Sequence, residues 1–171
     1  MSLSSRTIST SLRGVFIGSG SDGMQLELFC KEIFSLASKA TPQVLYVGTA
    51  TYCKSGPEIA QTKELKKMGA SISRLLLEET VETATAKFQA ADIIVVSGGN
   101  TLFAVDRWKH IGIDQLFLQA GQRGCVCLLF FVLVLYLFLA RSIYLFCAQA
   151  GITHSTTLPL CCLCCLCCLR S

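Results

Sequence analysis

Ala91-Asp92-Ile93-Ile94-Val95-Val96-Ser97-Gly98-Gly99-Asn100-Thr101 decides the fold of this 171-residue chain. Its apolar, largely β-branched run has no polar alternation, which predicts a strand covered on both faces, as in a parallel sheet. Two glycines then permit a sharp turn and leave their N–H groups uncovered by side chains. Asn100 or Thr101 is placed to cap the helix that begins with Leu102-Phe103-Ala104-Val105. A strand, a bare glycine turn and a helix N-terminus together suit an anion or oxyanion. The same spacing also suits a tight βα connection that binds nothing.

Working outward, the chain alternates between strand and helix. Gly14–Ile17 reads as a first strand, ending in the glycine-rich segment Gly18–Gly23. Met24–Ala40 follows as an amphipathic helix with Leu28, Ile33, Leu36 and Ala37 toward the core. Gln43–Gly48 is a second buried strand. After a loop, Pro57 opens a helix that stops at Gly69. Ser71–Leu77 is a third strand, Glu78–Ala90 holds a short helix, and Asn100–His110 and Ile113–Gly121 are helical. This order predicts an α/β, three-layer, doubly wound and mostly parallel sheet with right-handed crossovers. Ligands of such sheets sit beyond the carboxyl ends of the strands, where the glycine-rich turns fall. Trp108, at helical spacing from Ala104 and Val105, is read as a packing residue.

Composition divides the chain near Gly124. Residues 1–124 carry 13 Lys/Arg against 11 Asp/Glu, whereas residues 125–171 carry Arg141 and Arg170 and no acid. The positive charge is not clustered, so no nucleic-acid footprint is present. Residues 1–13 read as a flexible, Ser/Thr-rich leader without the apolar core of a secretory signal. Cys30 and Cys53 are isolated, which fits a reducing, cytoplasmic setting. Cys30 reads as a buried thiol, and nothing near Cys53 activates it. No metal or cofactor is expected.

Gly18-Ser19-Gly20-Ser21-Asp22-Gly23 fits the dinucleotide fingerprint G-x-G-x-x-G after a strand. Such a site also wants an acid at the end of the second strand to hold the ribose hydroxyls. None lies between Glu32 and Glu58. Gly18 and Gly20 are therefore read chiefly as giving room at the sheet edge, with a nucleotide-binding domain as the minor alternative.

Val44-Leu45-Tyr46-Val47-Gly48-Thr49-Ala50, followed by Ser97-Gly98-Gly99-Asn100-Thr101, resembles the dipeptidase E and cyanophycinase family of serine peptidases over about residues 14–124. The resemblance implies a fold like that of class I glutamine amidotransferases, and small acidic peptides as substrates. It also implies that N–H groups around Gly98 and Gly99, with Asn100 beside them, help to form an oxyanion hole.

Members of that family place a Gly-x-Ser-Ala-Gly nucleophile elbow after the next strand, then a His and an acid. This chain departs there. Cys125–Ala140 is an unbroken run of 16 apolar residues, and no carboxylate side chain follows Asp114. Adjacent His154 and Ser155 lack the geometry for proton transfer, and Cys125-Val126-Cys127 is no elbow. The reading is a peptidase-like scaffold with no catalytic residue, cut off before the nucleophile and incomplete on its C-terminal side. Residues 125–148 read as a further strand, with pairing over Cys127–Val134, or as a membrane segment that would make the protein a tethered, non-enzymatic α/β module. The Cys-Cys-Leu repeat within residues 149–171 reads as low-complexity sequence, consistent with a changed reading frame after Gly124.

Overall fold

A computed structural model describes residues 13–17 and 20–130. The leader through residue 12, Gly18, the apolar run from residue 131 and the Cys/Leu tail lie outside the described residues, as do Ser142, His154 and Ser155. The strands are β1 (Arg13–Ile17), β2 (Gln43–Val47), β3 (Ser71–Leu75), β4 (Ile93–Val96) and β5 (Val126–Phe130). All pair in parallel, in the order β1-β5-β4-β2-β3. The helices are α1 (Gly20–Gly23), α2 (Glu27–Ala37), α3 (Ser55–Lys67), α4 (Val81–Ala90), α5 (Thr101–His110) and α6 (Ile113–Gln122).

Connections from β1 to β2 and from β2 to β3 run one way across the sheet; those from β3 to β4 and from β4 to β5 return. A right-handed crossover must change face when its direction reverses, and this makes the fold doubly wound. Val44, Tyr46, Ile93, Val95 and Val126 pack with Phe29, Cys30 and Ile33 of α2 and Leu65 of α3. Leu45, Val47, Ile94 and Val96 pack with Phe88 of α4, Trp108 of α5 and Leu116 of α6. Phe117 lies between Phe88 and Trp108, with ring centroids 4.9 and 5.2 Å away. All four residues of β4 are buried, as continuous apolar sequence in a parallel strand requires.

Asp92, at the amino edge, ties neighbouring strands together. Its carboxylate accepts from the Gln43 N–H at 2.9 Å and pairs with Lys39 at 2.6 Å. Its carbonyl accepts the Val126 N–H at 2.9 Å. The strand proper therefore begins at Ile93, two residues inside the quoted stretch.

Four expectations are corrected. Leu28 is 82% exposed, because the core stripe of α2 runs through Phe29, Cys30 and Ile33, with Leu36 and Ala37 partly buried against it. That helix starts at Glu27 rather than Met24. Pro57 is the third residue of α3, still within the first turn where helix N–H groups lack partners. Finally, a span beginning at residue 125 conflicts with β5, which pairs between β1 and β4. The remainder of that segment, residues 131–148, lies outside the described residues. Among the described residues, no helix is long and apolar enough to cross a membrane.

Ile94→Ala should lower unfolding free energy by about 2–5 kcal/mol in urea titration, whereas Leu28→Ala should change it by less than about 0.5 kcal/mol. A second test uses Cys30, whose thiol is pushed up to about 11, first by burial and then by Glu64. The unfolded thiol ionises near 9 and the folded one does not, so stability is unaffected at neutral pH and falls between pH 9 and 11. Cys30→Ala should flatten that part of the stability–pH curve by roughly 2–3 kcal/mol.

Candidate functional site

The turns that follow β2 and β4 meet at the carboxyl edge of the sheet. Parallel pairing sets Val47 beside Val96, so both chains leave the sheet together. The Ser97 N–H donates to Val47 O at 3.0 Å, and the Asn100 N–H donates to Ala50 O at 2.8 Å. Between them Gly99 takes φ +134°, and a Cβ there would lie 2.4 Å from Ala50 O. Glycine is required both for its dihedral and for this approach of two backbones.

Asn100 settles which residue caps α5. Its Oδ1 accepts the Phe103 N–H at 3.1 Å, and its Nδ2 donates to the Tyr52 hydroxyl at 2.7 Å. Thr101 is instead the first, buried residue of the helix. The Tyr52 ring lies 4.9 Å from that of Phe103. Below the turn, Trp108 Nε1 donates to Thr49 Oγ1 at 2.9 Å, so the tryptophan packs and braces the β2 turn. Tyr52 and Cys53 both adopt left-handed φ, 55° and 53°, as the chain reverses before α3.

The hydrogen bonds among the described residues occupy the N–H groups of Ser97 and Asn100 and leave those of Gly98 and Gly99 without an acceptor. Gly98 is half-buried and Gly99 exposed. Ser97 is 3% exposed and donates its hydroxyl to Gly98 O at 3.1 Å. The Tyr46 hydroxyl lies near those of Ser97 and Thr51, fully buried and without a hydrogen bond of good geometry. Burial pushes its phenol up, partly opposed by those two hydroxyls. Spacing alone gave no sign of Tyr46 or Ser97 here; strand alternation could have placed Tyr46 on the α3 face, but not its hydroxyl.

No imidazole among the described residues approaches this edge. His110 is exposed at the far end of α5, roughly 15 Å along the helix from the turn. Cys125 lies at the amino edge of β5, across the sheet from Gly99, with its N–H bonded to Ala120 O. A hydrogen bond with Cys127, together with burial, pushes its thiol up. Cys53 lies near the edge, with Sγ 3.3 Å from Leu75 O, and burial raises its thiol as well. The first glycine segment behaves differently from the turns above: Gly20–Gly23 forms one helical turn, and a Cβ on Gly23 would meet the Ile17 side chain at 1.8 Å. At Gly23, the missing side chain makes room for the end of β1.

Gly99→Ala should lower the melting temperature far more than Gly112→Ala, although both residues have positive φ. Gly112 has open space around its missing Cβ, so only about 1 kcal/mol of dihedral cost applies there. Equal effects would mean that the Ala50 contact does not hold the turn.

Comparison with known proteins supplies the family. No curated protein matches the chain. Among solved structures, a protein described as a peptidase E from Listeria monocytogenes EGD-e superposes with a TM-score of 0.57 at 23% identity, covering 69% of this chain and 58% of its own. A peptidase from an acI-B1 actinobacterium gives 0.53 at 19% identity, covering 67% of this chain and 52% of its own. These likenesses establish the fold, and the chain spans little more than half the length of either protein. The sequence profile of Peptidase family S51 matches residues 15–128, from β1 into β5. The chain belongs to peptidase family S51.

Proposed function

We propose that this chain is a peptidase-like scaffold that retains the carbonyl-binding turn of its family and has no nucleophile to use with it. On this reading it binds a carboxylate or a peptide carbonyl and does not cleave the bond. The observation that supports the reading is the pair of N–H groups, Gly98 and Gly99, that have no acceptor among the described residues, beside the start of α5. Donors held in place before a ligand arrives stabilise negative charge on oxygen without reorganisation cost. The partial positive charge of the helix N-terminus acts in the same direction.

Inactivity rests on the sequence that follows β5. Where the family resemblance calls for Gly-x-Ser-Ala-Gly, this chain reads Leu129-Phe130-Phe131-Val132-Leu133. A nucleophile elbow needs small neighbours, because the strand-to-helix turn is too sharp for bulky ones. Phenylalanine and valine satisfy neither the chemistry nor the steric demand. The hydroxyls near the turn do not replace the missing serine: Ser97 donates to a backbone carbonyl, and no imidazole among the described residues approaches it. Small acidic peptides, the substrates implied by the family, are the first ligands to try.

Aspartyl dipeptides incubated with the purified chain should release no amine above background. A saturable rise in melting temperature is expected with the same peptides, worth about 2.7 kcal/mol at a hundredfold excess over Kd. Turnover would overturn the assignment of inactivity. Absence of any stabilisation by acidic or neutral dipeptides would overturn the binding role.

A further inference from the structure

We infer that Ser97 is a positioning residue that aims the Gly99 N–H at the ligand; the inference deepens the reading above and rests on it. The Gly98–Gly99 peptide is the plane that matters, because its N–H belongs to Gly99. It is flanked by two residues without Cβ atoms, so sterics alone leave its orientation loosely determined. The described structure contains no cis peptide, and in a trans peptide the C=O and N–H point in opposite directions. Whatever holds the Gly98 carbonyl therefore also sets the direction of the Gly99 N–H.

That holder is the Ser97 hydroxyl, which donates to Gly98 O at 3.1 Å. Ser97 is itself fixed: it is 3% exposed and its N–H is bonded to Val47 O at 3.0 Å. The next peptide needs no such help. Its N–H, on Asn100, is already bonded to Ala50 O at 2.8 Å. Two consecutive peptide planes are thus pinned by different means, one by the neighbouring backbone and one by a side chain. The second arrangement holds a carbonyl on one side and presents on the other an N–H that has no acceptor among the described residues, as an oxyanion donor requires. The buried Tyr46 hydroxyl lies near that of Ser97.

The test follows the amide resonances of Gly98 and Gly99 by ¹⁵N NMR in the full chain. Inorganic phosphate is titrated as the probe, with ionic strength held constant by chloride. In the native sequence both amides should shift saturably. Ser97→Ala should weaken phosphate binding roughly tenfold, the scale of one hydrogen bond's worth of preorganisation. Ser97→Thr, which keeps the hydroxyl, should bind within about threefold of the native chain. Thr62→Val removes another buried hydroxyl-to-carbonyl bond, 2.8 Å to Glu58 O on α3, and should leave binding unchanged. Native-like affinity in Ser97→Ala would overturn the positioning role and leave the binding reading intact. Equal weakening in Thr62→Val would overturn it too, by showing general loosening. If phosphate moves neither glycine amide in the native chain, the binding reading fails and the positioning role falls with it. Ser97→Gly serves in the same comparison should Ser97→Ala not fold.

Discussion

The approach of Gly99 to the Ala50 carbonyl is the constraint on which the functional edge depends. Two parallel strands, β2 and β4, end in register, and their turns would diverge if each obeyed only its own local preferences. The Asn100 N–H to Ala50 O bond holds them together, and only a residue without a Cβ can occupy Gly99 while it does so. Once the turns are joined, the other contacts follow. Asn100 reaches both the first turn of α5 and the Tyr52 hydroxyl, Tyr52 meets Phe103, and Trp108 bonds Thr49 from below. Each bond alone contributes on the order of 1 kcal/mol. Together they fix the relative position of two glycine amides that find no acceptor among the described residues.

The rest of the fold serves that edge by making the strands immobile. The two apolar layers bury every residue of β4 and nearly all of β2. At the opposite edge, Asp92 connects Lys39, the start of β2 and the start of β5 through three polar contacts. Polar bonds brace both edges, and at the carboxyl edge two glycine amides find no acceptor among the described residues.

Much of this was readable in advance, for physical reasons specific to each residue. Ile93–Val96 lacks alternation because both its faces are covered, and a strand with one face in water would have broken the apolar run. Gly69 marks the end of α3, with φ +97°, as a helix terminus followed by glycine suggests. Asn100 as a cap was one of two readings, since Asn and Thr differ little in capping preference and only the backbone geometry separates them. Leu28 misled because a helix of mixed composition offers several apolar stripes, and only the docked sheet selects among them. Residues 125–130 were ambiguous because a short apolar run looks alike in a buried strand and in a membrane; pairing with β1 and β4 decides it. The Tyr46 hydroxyl was invisible because its neighbours Ser97 and Thr51 lie in other segments of the chain, and the Ser97 hydroxyl because its bond to Gly98 O depends on backbone geometry that spacing leaves open.

Backbone strain points to the same edge by an independent route. Among the described residues, those with positive φ fall into two groups. Ser38, Gly69, Gly112 and Gly124 follow the ends of α2, α3, α5 and α6, where a left-handed residue is the ordinary way to close a helix. Tyr52 closes the short 3-10 turn Thr49–Thr51, whereas Cys53 and Gly99 end no helix. All three lie in the joined turns, and two carry full side chains, at a cost of order 1 kcal/mol or more each. Strain of that kind persists only where surrounding contacts over-determine the geometry, and here those contacts are the ones that hold the Gly98 and Gly99 amides, which find no acceptor among the described residues. The conformational cost, the engaged Asn100 and the two glycine amides without an acceptor among the described residues share one cause, the joining of the β2 and β4 turns.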